Sequence, residues 1–277
     1  MKNVIISSSD SKYGDFLIDH WLKSLKENVN LSNIDLVILD YGLSPLQVKS
    51  LKKEGVLVVK CVRDGHVVIL RFRDMLKFLK NKKYDQVLSI DGGDIIFQGD
   101  LSNIFNEHQN DFRVVKENLG SHLINFPLYL TYFSYNDAKH ILKTLKNKPL
   151  INAGVIFAPS NKFQNLCKEV FSMVKNKDLF GPDQILINYL FYKNGFISID
   201  EKYNFIPCTA KNNFYVKDGV FYFKNKIKIN IVHNAGNKDF FRFINSFGYG
   251  QEFNKIKKIN LFLLRKLLSI KKLFNFY

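Results

Sequence analysis

Short apolar runs and helical-period stripes alternate along the first hundred residues. Val4 to Ser7 reads as a buried strand, and Leu17, Trp21 and Leu25 recur at helical spacing within Phe16 to Leu25. Ile34 to Leu39 predicts the second strand. Ser44 and Pro45 form an N-cap and first-turn pair that opens a helix through Val48 and Leu51. Val56 to Cys61 predicts a third strand, Arg71 to Leu79 a helix, and Gln86 to Ile90 a fourth strand. The strand starts fall roughly 20–30 residues apart, the separation that parallel strands with helical crossovers need. This is the pattern of a nucleotide-binding α/β domain.

The second half is less regular. Asn161 to Val174 and Pro182 to Tyr192 predict helices, and Phe196 to Ile199, Val220 to Phe223 and Lys228 to Val232 predict strands. Aromatic residues gather at Phe214, Tyr215, Phe221, Tyr222 and Phe223. No internal repeat and no Gly/Ser linker divides the chain, so we expect one domain over residues 1–250 and a separate tail over 251–277. In the tail, Ile256, Ile259, Leu263, Leu267, Ile270 and Phe274 share one helical stripe. Seven basic residues and one acid, Glu252, lie between 252 and 277. The spacing predicts a basic amphipathic helix, either packed on the domain or lying flat on an anionic membrane surface.

Composition narrows the function classes. Of 277 residues, 46% are hydrophobic, enough for a large core, so wholesale disorder is excluded. Lys and Arg total 41 against 25 Asp and Glu, a net charge of +16 that calls for an anionic partner: nucleic acid, an acidic membrane or a phosphorylated substrate. Cys61, Cys167 and Cys208 are far apart and odd in number, which argues against a disulfide framework and fits a reducing compartment. The amino terminus turns polar too soon for a signal peptide, and no apolar run has the length of a membrane span. We therefore expect a cytoplasmic protein associated peripherally with the inner face of the membrane.

The strongest local signal is Asp91-Gly92-Gly93-Asp94, directly after the predicted strand ending at Ile90. Two carboxylates at the carboxyl end of a parallel strand stand where open α/β sheets bind ligands. Their oxygens suit Mg²⁺ or Mn²⁺ bridging to a diphosphate. A tight Asp-Gly turn between two apolar strands is the alternative. His233 ends a strand and leads through Asn234, Ala235 and Gly236 to Lys238, a combination able to complete a metal and phosphate site. The polar loop Ser7 to Tyr13 follows the first strand, where a nucleotide base or ribose sits, and it lacks both G-x-G-x-x-G and the P-loop pattern. Arg71 could pair with phosphate. Asn152-Ala153-Gly154 could bring backbone close to a ligand, and Asp183-Gln184 opens a helix after Gly181-Pro182.

Taken together and in this order, these motifs resemble the retaining glycosyltransferases of family 8, over roughly Val4 to Lys238. The matching pieces are Asp10 and Tyr13, Asp91 and Asp94, Asn152-Ala153-Gly154, Asp183-Gln184, Tyr203-Asn204, and His233 with Gly236 and Lys238. The acidic motif is one residue longer than the family's Asp-x-Asp. Lys238 follows Gly236 by two residues, and no Pro-Trp comes after it.

The resemblance implies a GT-A fold, with a mainly parallel mixed sheet flanked by helices. It also implies transfer of a hexose from a UDP-sugar to a glycan or glycolipid acceptor, with Mn²⁺ (or Mg²⁺) held by Asp91, Asp94 and His233. Asp10 and Tyr13 would then take the base, and Arg71, Asn152, Gly236 and Lys238 would line the donor site. Gln184 and Asp183 would lie at the sugar, with front-face transfer beside Gln184 and a covalent step on Asp183 as rival mechanisms. Two other readings stand beside this one: a basic nucleic-acid-binding protein, which lacks any RRM, KH or helix-turn-helix pattern, and a catalytically inactive sugar-nucleotide binder at a membrane.

Overall fold

In the computed structural model, residues 1–120, 126–236 and 242–257 are described, with the backbone alone for 118–120 and 126–128. The strands are β1 (Asn3–Ser9), β2 (Ile34–Asp40), β3 (Leu57–Lys60), β4 (Gln86–Ile90), β5 (Ile95–Phe97), β6 (Arg113–Val114), β7 (Lys116–Gly120), β8 (Pro149–Ile151), β9 (Val155–Pro159), β10 (Ile197–Ser198), β11 (Phe214–Lys217), β12 (Val220–Phe223), β13 (Ile231–His233), β14 (Ile244–Asn245) and β15 (Lys255–Ile256). The helices are α1 (Ser11–Phe16), α2 (Lys23–Asn28), α3 (Pro45–Lys53), α4 (Val67–Leu79), α5 (Ser102–Asn106), α6 (Phe126–Tyr132), α7 (Tyr135–Leu145), α8 (Ser160–Met173) and α9 (Pro182–Asn194). A π-helical stretch, Leu17–Leu22, joins α1 to α2.

Seven strands form the central sheet in the order β10-β6-β9-β4-β1-β2-β3. β9 runs antiparallel to both its neighbours, and the other pairs are parallel. Because side chains alternate across a strand, each central strand feeds two cores. Val4, Ile6, Val37, Leu39 and Val87 face one side, packed under α4, α7, α8 and α9. Ile5, Leu36, Ile38, Leu88 and Ile90 face the other, with Leu17, Trp21, Leu25 and Leu51. The result is helix–sheet–helix layering, as the alternating pattern predicts. A third core holds Phe205, Phe214, Phe221 and Phe223 with Ile96 and Val232, which accounts for the aromatic cluster.

The start of α3 follows the expected chemistry. Ser44 Oγ accepts from the Gln47 amide at 3.2 Å, and Gln47 Oε1 accepts from the Ser44 amide at 2.9 Å, closing a capping box. Gln47 Nε2 also donates to Asp15 Oδ1 at 2.8 Å, tying α3 to α1.

Most elements shift by a residue or two from the sequence reading, and two larger differences are informative. α4 begins at Val67, capped by His66, four residues before the expected start. The run Val67-Val68-Ile69-Leu70 has strand-like composition, and burial rather than propensity makes it helical. At the other end, β15 pairs with β14, and Asn254 Nδ2 donates to Gly219 O and Gly248 O at 2.9 and 2.6 Å. Residues 251–257 therefore pack with the domain, and the remainder of the expected tail, 258–277, lies outside the described residues. Among the described residues, no helix is long and apolar enough to cross a membrane.

Candidate active site at the carboxyl end of the sheet

β4 delivers Asp91 to the carboxyl edge of the parallel strands. The Asp-Gly-Gly-Asp segment is not a hairpin turn: β4 stays in the central sheet, whereas β5 leaves it and pairs antiparallel with β13. The register sets His233 opposite Ile95, beside Asp94, and the Asn234 amide donates to Asp94 O at 2.8 Å. That pairing brings together residues far apart in sequence. His233 Nε2 lies 3.4 Å from Asp94 Oδ1 and 3.9 Å from Asp91 Oδ2. The ligand atoms of all three residues lie within 4.8 Å of one another.

Close approach of backbone makes this cluster possible. A Cβ on Gly154 would stand 2.3 Å from His233 Cε1 and 2.8 Å from Asp91 Oδ2. One on Gly93 would stand 2.8 Å from Tyr13 Cδ1, and one on Gly92 would stand 2.8 Å from Ser7 Oγ. Glycine suits the places where the Asp91–Asp94 backbone meets β1 and the Tyr13 ring, since a Cβ there would crowd both. Tyr13 remains 42% exposed, its ring resting over Gly93.

The surrounding hydrogen bonds orient the ligands. His233 Nδ1 and Asn204 Oδ1 are 3.1 Å apart. An amide oxygen only accepts, so Nδ1 carries the proton and Nε2 is directed at the carboxylates, the arrangement that suits metal-ligating histidines. Asn204 Nδ2 donates to Asn152 Oδ1 at 3.3 Å, and Asn152 Oδ1 also accepts from the Gly154 amide at 2.8 Å. The Asp91 amide donates to Gly154 O at 2.9 Å, and Trp21 Nε1 donates to Asp91 O at 3.1 Å. Two carboxylates and an oriented imidazole are a donor set that fits Mn²⁺ or Mg²⁺.

Arg71 is buried and committed to carboxylates. Its terminal nitrogens reach Asp91 Oδ1 at 2.5 Å and Asp183 Oδ2 at 3.2 Å. It thereby links the metal cluster to the start of α9. Asp183 is 6% exposed, and burial pushes its carboxyl above the usual range despite Arg71. Burial likewise opposes charge on Asp94 and on His233. Their mutual attraction outweighs it, helped by Arg242 and Arg71 for Asp94 and by Asp91 and Glu117 for His233, so the carboxyl is held low and the imidazole high. Gln184 braces the segment under the site: its Oε1 accepts from the Ala153 amide at 3.0 Å, and its Nε2 donates to Ile151 O.

Asp10 caps α1, accepting from the Lys12 amide at 3.1 Å, and pairs through Oδ2 with Arg63 at 3.1 Å. Gly236 has a φ of 140° and accepts from Arg242 Nε at 3.0 Å. Lys238 lies outside the described residues. Sequence reasoning missed Arg63, Glu117 and Arg242. Glu117, near His233, hydrogen-bonds Asn152 and Thr209, and burial raises its carboxyl. No spacing rule marks these three, because only the fold brings them to the site.

The mainly parallel mixed sheet flanked by helices is the GT-A arrangement of the glycosyltransferase structures that this chain resembles. Residues 4–238 match the family model described as glycosyl transferase family 8, and the chain belongs to that family. No curated protein sequence matches it. Among solved structures, it is similar to the apo-form glycosyltransferase GlyE of Streptococcus pneumoniae TIGR4, at 16% identity and a TM-score of 0.54, covering 99% of this chain and 60% of that one. The bifunctional glycosyltransferase WbbM is similar at 18% identity and 0.54, covering 86% and 46%. The galactosyltransferase LgtC, solved with donor and acceptor sugar analogs, is similar at 14% identity and 0.56, covering 96% and 95%. At these identities the likeness shows the fold, and the chain spans 60% of the GlyE chain and 46% of the WbbM chain.

Proposed function

We propose that this glycosyltransferase moves a hexose from a UDP-sugar to a glycan or glycolipid acceptor with retention of configuration, using Mn²⁺ or Mg²⁺. The observation that carries the reading is the Asp91/Asp94/His233 cluster, with Nε2 oriented by Asn204, beside the exposed Tyr13 ring. A divalent ion held there supplies charge neutralisation for the leaving diphosphate. Tyr13 offers a stacking face for the base, and Asp10 an acceptor for its polar edge. Arg242 adds positive charge next to Asp94, and Lys238 is assigned the same task. Arg71 acts as a positioning residue, since both its terminal nitrogens hold carboxylates.

Burial of Asp183 against Arg71 supports a positioning role and favours front-face transfer near Gln184 over a covalent intermediate. The experiment is transfer from a panel of UDP-sugars by wild type and Asp91→Asn, each with Mn²⁺ and with chelator. We expect metal-dependent transfer that Asp91→Asn abolishes without loss of fold. Chelator-insensitive transfer, or normal turnover by the variant, overturns the reading.

We assign residues 258–277 to an anionic membrane surface on the inner face of the cell membrane, on the strength of their apolar stripe and basic residues. Truncation after Lys257 spares β15. It should abolish sedimentation with anionic liposomes and leave transfer to a soluble acceptor. A full-length protein that ignores the liposomes refutes this assignment.

A further inference from the structure

At the opposite end of the sheet, where the parallel strands begin, lies a cavity of about 280 Å³. Its polar lining is made of carboxamides and hydroxyls from Asn3, Asn30, Ser32, Asn33, Ser102 and Asn106, with Phe105 and Ile34 as its apolar wall. Asn3 opens β1 and is 6% exposed, and its Oδ1 is buried with no hydrogen-bond partner among the described residues. A buried orphan acceptor is costly; this one is shut off from solvent, so a ligand reaches it only when the Asn3 carboxamide turns toward the cavity.

A second cavity of about 370 Å³ adjoins the first at Ile34 and runs along the β2–β3 edge past Leu31, Leu36 and Leu57. The side-chain charges along both cavities are mutually compensated. Lys26 pairs with Glu54, and Asp35 accepts from Lys2 Nζ at 2.8 Å and from Tyr84 at 2.6 Å. Asp100, beside the first cavity, accepts from the amides of Asn30 and Ser102 at 2.8 and 3.0 Å.

We infer that this groove is a second binding site, for a neutral saccharide. The groove presents donors and acceptors in the same small volume, because each carboxamide carries both. A sugar ring does the same through its hydroxyls and adds an apolar face for Phe105 and the leucines. The amine of Met1 aside, no cation that lines the two cavities among the described residues is left unpaired for a phosphorylated or carboxylated ligand. The first cavity suits one ring, near the low end of the about 300–1,000 Å³ range of small-molecule sites, and the second gives room for the chain to continue. From Asn3 to the catalytic edge β1 spans six residue steps, about 20 Å at about 3.3 Å each, so this site is separate from the catalytic one. It stands whether or not the proposed donor and reaction are correct.

The test is a titration of the ¹⁵N-labelled full chain with lactose, maltotriose, glucose 6-phosphate and glucuronate, following backbone and carboxamide resonances. We expect saturable shifts at Asn3, Asn33 and Asn106 with at least one neutral sugar and weaker binding of the anionic ones. Asn33→Ala with Asn106→Ala should weaken binding at least tenfold, and Asp91→Asn should leave it unchanged. The two exposed positions keep the test valid if the buried variant Asn3→Leu fails to fold. No saturable shift at these residues up to 50 mM sugar, unchanged affinity in the double variant, or tighter binding of the anionic sugars overturns the proposal.

Discussion

Gly154 and Arg71 show how little freedom individual positions have here. In Gly154→Ala the new methyl meets His233 and Asp91, and neither can withdraw without leaving the cluster. We expect the variant to fold and to lose at least tenfold in Mn²⁺ affinity by calorimetry; wild-type affinity would show the ligands to be mobile. Arg71→Met should destabilise by about 3–5 kcal/mol in urea, because it strands Asp183 in a dry site. Adding Asp183→Asn should recover part of that loss, and a variant within 1 kcal/mol of wild type would contradict the pairing. At this scale the sequence was informative about identity and less so about geometry. Asp91, Asp94, His233, Asn152 and Asn204 were readable from motif order and meet in the structure. The extra glycine in the acidic motif left open where Asp94 points, and only the β5–β13 register answers it.

At the level of elements, the π-helical stretch carries the single tryptophan into the site's foundation. Trp21 is fully buried, packs edge-on to Phe97 of β5, and donates to the Asp91 carbonyl. Widened turns of this kind occur at functional sites. Trp21→Phe keeps most of the apolar burial and removes the hydrogen bond. We expect a loss of about 1–3 kcal/mol in thermal or urea unfolding, together with weaker metal binding. Loss of stability alone would confine Trp21 to the core. Elements with strong local signals were legible: β4 and β12 fall at their expected bounds, and α3 carries its predicted cap. The stretch from 113 to 159 was not. Its strands are two to five residues long, and β9 takes its antiparallel place by crossing back through the sheet, which no local period encodes.

Across the whole molecule, the catalytic site and the proposed saccharide groove occupy opposite ends of one sheet, so ligands at the two should act on stability independently. UDP with Mn²⁺ at 100 times its dissociation constant should add about 2.7 kcal/mol. Chelator should remove that gain, and Asp91→Asn should abolish it. A gain from UDP that is insensitive to chelator would separate nucleotide binding from the metal.

The β5–β13 pairing also orders events in time. Every strand of the central sheet has been synthesised once Ser198 is added, and the strand that carries His233 follows later in the chain. At about 5–20 residues per second, the remaining few tens of residues take seconds. During that interval Ile96 and Phe97 lack their β13 partner, and Asp91 and Asp94 lack their imidazole. The Asp/Asp/His cluster is thus completed only after the last strand of the central sheet has been made, so an ion that needs all three ligands cannot bind before then.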